Sequence, residues 1–313
     1  MIKMKIAISL GDLNGVGLEI ALRSHEEVKT LCQPIYCINE NMLAWGAALL
    51  GLDIPSDFET RECGKVFEIA PGVCSEEAGE SSYDSFITAV ALAKSNEVSG
   101  IVTLPINKES WAMAGLEYKG HTDALSDLLG CDAIMMLGCE AMFTILYTHH
   151  IPLKDVPHEI KAKKLKPFLV KVYEELGAEK IAVLGLNPHA GDNGVIGDEE
   201  EEIKKAIMKA NHFLEREVFE GPFVPDMAFT QANRHKYQYF VCMYHDQGLI
   251  PLKVLHFDES INVSLNAGVI RTSVDHGTAF DIAYKNMNPS TQSYINAVRE
   301  AVKLSQGKAL LTF

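Results

Sequence analysis

Residues 6–28, IAISLGDLNGVGLEIALRSHEEV, read as three pieces in succession. Residues 6–10 form a short apolar strand, 11–17 a glycine-rich turn, and 18–28 place apolar side chains at helical spacing. Strand, turn and helix in that order make the opening unit of an α/β domain. The alternation continues. Residues 34–38 precede an apolar helix at 42–50, and 66–69 precede a long helix that starts at Ser75, where Ser-Glu-Glu supplies a cap and first-turn acids, and runs to Lys94. GIVTLP at 100–105 is a buried strand with Asn107, Lys108 and Glu109 just past its end, and Gly120 to Asp123 cap a helix reaching Leu129.

Beyond that lie strands at 133–137 and 142–147, helices over 155–177, a strand at 181–186, a turn at 187–192 and a helix over 198–218. The acids at its start, 198–202, read as dipole and solubility residues. Residues 221–226 read as loop, 239–243 as a buried strand, and 252–256 and 261–265 as two more strands. IRTSVDHGTAFD follows at 270–281, with Asp275 and His276 as a cap pair for the next helix. The pattern predicts an α/β protein with two lobes of α/β/α layers around mainly parallel sheet. One lobe is expected to comprise 1–123 plus 276–313 and the other 124–275.

A chain of 313 residues, 47% hydrophobic, exceeds the usual size of one domain and can bury a substantial core. Its net charge of −14 disfavours nonspecific binding to nucleic acid or anionic membranes, so an anionic substrate must be met by a few local cations. Seven cysteines, with no C-x-x-C pair, support neither a disulfide framework nor a zinc ribbon, and a reduced cytoplasm is the expected setting. No window approaches the roughly eighteen apolar residues of a membrane span.

Three histidines end apolar runs beside turns: His150 in THHIPL, His189 in GLNPHAG and His245 in YHDQGLIPLK. Each alone is more simply a surface or hydrogen-bonded histidine. Together they suggest one divalent metal with positions open for substrate. His149 rivals His150, since neighbours in an extended segment face opposite ways. Lys108, Lys253 and Arg271 are the nearby cations, Arg271 suiting bidentate phosphate or carboxylate contact. Thr122, beside His121 at a helix start, offers hydroxyl and backbone donors to a phosphate, or a plain cap. The glycines at 11, 15 and 17 do not match G-x-G-x-x-G, so an ordinary dinucleotide fingerprint is not indicated.

With GDLNGVGLEI, PINK, GHT, HHIPL, GLNPHAGDNGVIGDEE, YHDQGLIPLK and IRTSVDHGTAFDIA, the chain resembles the 4-hydroxythreonine-4-phosphate dehydrogenases of vitamin B6 biosynthesis nearly end to end. It departs from the family at Leu13, Asn14 and Leu18, where Pro, Ala and Pro are usual, at residues 264–269, and after Ala283. The resemblance implies a fold like the isocitrate and isopropylmalate dehydrogenases. It implies metal ligands at His150, His189 and His245, and substrate contacts at His121, Thr122, Lys253, Asn262 and Arg271. It further implies NAD or NADP as cofactor, one zinc, magnesium or cobalt ion per site, and a homodimer with its active site at the subunit interface, where His245 meets the partner's His150 and the partner's His189. The implied reaction oxidises 4-phosphooxy-L-threonine and decarboxylates the product to 3-amino-2-oxopropyl phosphate. Asp246 is expected as proton acceptor or as support to the metal site. Threonate or erythronate 4-phosphate is the alternative substrate, and a metal-dependent phosphohydrolase or acyltransferase the alternative chemistry.

Overall fold

The computed structural model describes residues 3–311, with side chains described to residue 307. The chain forms two compact units, one of the residues up to Ala133 together with those from Ile261 onward, the other of Ile134–Ser260. The first unit opens with β1 (Lys5–Ser9), α1 (Gly17–Leu31), β2 (Gln33–Cys37), α2 (Glu40–Leu50), β3 (Thr60–Arg61), α3 (Glu76–Lys94), β4 (Gly100–Thr103), α4 (Lys108–Met113) and α5 (His121–Leu129). Local chemistry sets these boundaries. Asn39 accepts from the Asn41 and Met42 amides and Gly51 closes α2 in a left-handed conformation, while Ser75 accepts from the Ala78 amide at the start of α3.

The second unit holds β5 (Ile134–Cys139), β6 (Met142–Leu146), α6 (Val156–Glu159), α7 (Ala162–Leu176), β7 (Ile181–Leu184), α8 (Glu199–Leu214), β8 (Phe219–Phe223), α9 (Pro225–Ala228), α10 (Gln231–Lys236), β9 (Tyr239–Cys242) and α11 (His245–His256). The chain then returns to the first unit with β10 (Ile261–Leu265), β11 (Arg271–Val274) and α12 (Gln292–Leu311). Strand order in the first unit is β3-β2-β1-β4-β11-β10, with only β10 antiparallel to its neighbour β11. In the second it is β5-β6-β9-β7-β8, with only β5 antiparallel to β6. The expected α/β class with mainly parallel sheet is therefore what the molecule has. Among the described residues, no helix is long and apolar enough to cross a membrane.

Several elements differ from expectation. Residues 66–69 are not a strand: Val66 is exposed, the Phe67 amide turns to Met42 Sδ and the Ala70 amide to Asn14 Oδ1. Residues 219–223 pair with β7 as a strand. Gly221 and Pro222 are tolerated there because β8 is an edge strand with a register shift opposite it. Residues 252–256 are the end of α11, whose buried face is Gln247, Gly248 and Leu252. Asp275 and His276 cap no helix, since α12 starts at Gln292, and His276 Nδ1 instead lies 3.0 Å from the Gly277 carbonyl. The unit boundaries also fall elsewhere than at 123 and 275. Ala124 and Leu125 belong to the core of Phe86, Ala89 and Trp111, and β11 pairs with β4, so α5, β10 and β11 are built into the first unit.

Candidate active site

Arg271 opens β11, and its side chain is 2% exposed. Its Nη1 donates to Ser264 Oγ at 3.2 Å and its Nη2 to Thr103 Oγ1 at 2.7 Å, while Nε is buried without a partner. Ser264 sits opposite Arg271 in the β10/β11 register, and Asn262, two residues earlier, shares that face. Asn262 Oδ1 also lacks a partner. No carboxylate pairs with Arg271 among the described residues. Burial pushes its guanidinium down to about 9, which leaves it cationic at neutral pH.

His121, the first residue of α5, is buried against Phe86 and Trp111, with ring centroids 5.0 and 5.5 Å away. Its Nε2 has no partner. Burial, and then the Arg271 cation, hold its pKa well below the usual histidine range, so the ring is neutral. Thr122 follows, half-buried, and Gly120 precedes with φ 151°. A Cβ on Gly120 would lie 3.8 Å from Lys108 Cε, which brings that lysine's side chain beside the start of α5. Each buried polar atom left unpaired costs roughly 1–3 kcal/mol; Arg271 Nε and His121 Nε2 can donate to an anion, and Asn262 Oδ1 can accept from a donor group of the same ligand.

The second unit carries the three predicted metal ligands and Lys253. His245 begins α11 directly after β9, where a strand-to-loop transition was expected. Its Nδ1 lies 2.7 Å from Asp246 Oδ1, which leaves Nε2 as the nitrogen with a free lone pair. The His150 ring centroid is 5.8 Å from that of His245, and His149 stacks edge-on against His150 at 4.9 Å. Alternation does not separate His149 from His150, because the Ile151 amide bonds to the His149 carbonyl at 2.7 Å and the segment turns there. His149 Nδ1 is buried without a partner, and burial, then His150 and His245, depress its pKa. His245 therefore lies beside the His150 of its own chain.

His189 is exposed on the 3-10 turn Pro188–Gly194, with φ 55°. Within one chain, and among the described residues, the three histidines do not form a group whose ligand atoms all lie within 4.8 Å of one another. Lys253 Nζ lies 3.5 Å from Ser260 Oγ and over the Phe257 ring.

Two supporting residues were not singled out from the sequence. Gln247 Oε1 accepts from the Met243 amide and its Nε2 donates to the Gly185 carbonyl, so the starts of α11 and of the His189 turn are tied together. Glu200, read as a solubility residue, is buried and accepts from the Leu186 and Asn187 amides at 2.9 and 2.7 Å. It holds the approach to His189. Glutamine and glutamate in such stretches carry no sequence signal that separates these roles from solvation.

The turn at 11–17 is buried throughout. A Cβ on Gly11, whose φ is 71°, would sit 2.1 Å from the Pro105 carbonyl oxygen, so its glycine serves close backbone packing rather than an open phosphate cradle. Asn14, unusual there, accepts from the Ala70 amide and donates to the Val73 carbonyl, which pins the loop without the family's prolines.

The family model described as pyridoxal phosphate biosynthetic protein PdxA matches residues 30–301. A curated 4-hydroxythreonine-4-phosphate dehydrogenase from Sulfurimonas denitrificans is 56% identical over 306 residues, covering 98% of this chain and 99% of that protein. One of the same name from Campylobacter fetus is 56% identical over 301 residues, covering 96% and 98%. A crystal structure of a 4-hydroxythreonine-4-phosphate dehydrogenase from Burkholderia phymatum superposes with a TM-score of 0.80 at 33% identity, over 97% of this chain and 99% of that one. Full-length identity of this order, on the α/β architecture described above, means that the chain belongs to the PdxA family of pyridoxal phosphate biosynthetic proteins.

Proposed function

We propose that this chain is a metal-dependent, nicotinamide-linked dehydrogenase that oxidises 4-phosphooxy-L-threonine to 2-amino-3-oxo-4-phosphooxybutanoate, which loses carbon dioxide to give 3-amino-2-oxopropyl phosphate. The observation that carries this reading is the buried Arg271, without a carboxylate partner and with its Nε open, beside the orphaned Nε2 of His121, a set that suits a phosphorylated acid and that lies in a chain so similar to enzymes bearing that name. His121, Thr122 and the Lys108 and Arg271 cations would take the phosphate or carboxylate, and Asn262 a remaining polar group, while a substrate contact at Lys253 rests on the family resemblance alone. Fixing the anion orients the reacting carbon, so remote binding energy becomes rate.

His150, His189 and His245 suit a divalent cation: two imidazoles already lie side by side, and Asp246 occupies the far nitrogen of His245. A zinc, magnesium or cobalt ion there would supply Lewis acidity to the alcohol and the ketone, and NAD or NADP would supply the hydride acceptor. Asp246 acts in this scheme as a positioning residue that fixes the His245 tautomer. The set of three is completed in a homodimer. Its support is the outer face of α11, where Ile250, Val254 and Phe257 are 62, 80 and 67% exposed at positions that follow one another along one side of the helix. Steady-state NADH formation with 4-phosphooxy-L-threonine and with threonate 4-phosphate tests the reading. Preference for the amino acid is expected, and faster turnover of the threonate would reassign the substrate.

A further inference from the structure

Within the second unit a different cluster of ligand atoms is already assembled. Cys139 ends β5 and is buried, His256 ends α11, and Glu259 lies in the turn that follows. One ligand atom from each falls within 4.8 Å of the other two. His256 Nδ1 is 2.9 Å from Glu259 Oε2, and Cys139 Sγ is 3.9 Å from the same oxygen. Ligands around a tetrahedral zinc, with metal–ligand bonds of about 2.0–2.3 Å, stand roughly 3.3–3.8 Å apart, so these spacings bracket what an ion needs with little side-chain movement. His256 faces the other two ligands through Nδ1, while its Nε2, on the far side of the ring, is buried without a partner.

We propose that Cys139, His256 and Glu259 form a second metal site, selective for a borderline-soft divalent ion such as zinc, with water as the fourth ligand. It lies at the end of α11 opposite His245. Binding converts the thiol to a thiolate and releases its proton to solvent, and nothing is oxidised. Sulfur, imidazole and carboxylate together favour zinc or cobalt over magnesium, whereas the three histidines offer no sulfur.

That difference supplies the test, which does not depend on the proposed reaction. Full-length protein stripped of metal and titrated with cobalt should develop a thiolate-to-cobalt charge-transfer band that saturates at one ion per chain. The band should persist in H245A and vanish in C139S. Because Cys139 is buried, E259Q, at an exposed carboxylate, gives a second reading: cobalt affinity reported by the same band should fall roughly tenfold or more. Absence of the band from the wild-type protein, its survival in C139S, or unchanged affinity in E259Q with the fold intact would each overturn the assignment.

Discussion

Arg271 joins a cost of burial to the binding role proposed for it. Replacing it with Met removes charge-assisted hydrogen bonds, worth roughly 1.5–3 kcal/mol, to the phosphorylated substrate, so KM should rise roughly 10- to 100-fold in steady-state assays. The ligand-free protein should melt no lower, since the group removed is a buried cation without a counter-charge. Asp12 makes the opposite kind of demand. Its carboxyl is raised from 3.8 to about 6, chiefly by burial, against the pull of the Asn14 amide and the Ser110 hydroxyl. Between those values the folded chain keeps a proton that the unfolded chain has released. Stability contributed by the protonated form is therefore present at low pH and lost as pH rises through about 6, by up to about 3 kcal/mol. Denaturant melts of Asp12→Asn should lose that slope and show a gain of roughly 1–3 kcal/mol at neutral pH; an unchanged slope would assign the titration elsewhere. Residue types at the site were legible, because arginine and histidine in an acidic chain stand out. Their surroundings were not: the aromatic wedge of Phe86 and Trp111 around His121 is assembled from separate helices.

At the scale of elements, α11 matters most, because it carries His245, Lys253 and His256. It presses on the sheet through Gly248, where an added Cβ would meet Cys242 Sγ and Thr144 Cβ at 3.0 Å. Gly248→Val should destabilise the protein by roughly 1–3 kcal/mol through overpacking and weaken metal binding by displacing His245. Calorimetric unfolding and a metal titration on the same sample check both, and an unaltered metal affinity would separate the helix from the site. The repeated strand-turn-helix units were read directly from periodicity and caps, as at Ser75 and Gly120. The end of α11 was not, since residues 252–256, three of them apolar, fit a strand as well as a helix turn, and the helix shows only when Gln247, Gly248 and Leu252 are seen facing the sheet together. Residues 219–223 failed for the converse reason, glycine and proline signalling a loop where an edge strand accepts both.

For the whole molecule, the return of β10 and β11 to pair beside β4 was beyond a single sequence, because long-range pairing leaves no local pattern. The assembly is a prediction of the same kind, argued from the exposed face of α11. Val254→Glu combined with Phe257→Glu should convert a dimer to a monomer in light scattering and abolish turnover together with it; a monomeric variant that keeps full activity would remove the partner from the site. The central claim concerns the three histidines and the ion proposed to bind there. The most direct measurement is NADH formation from 4-phosphooxy-L-threonine by chelated and zinc- or cobalt-restored protein, alongside His189→Asn. Chelation should abolish the absorbance rise, and restored metal should rescue the wild-type chain but not the variant. Undiminished NADH formation after chelation, or by the variant, would contradict it.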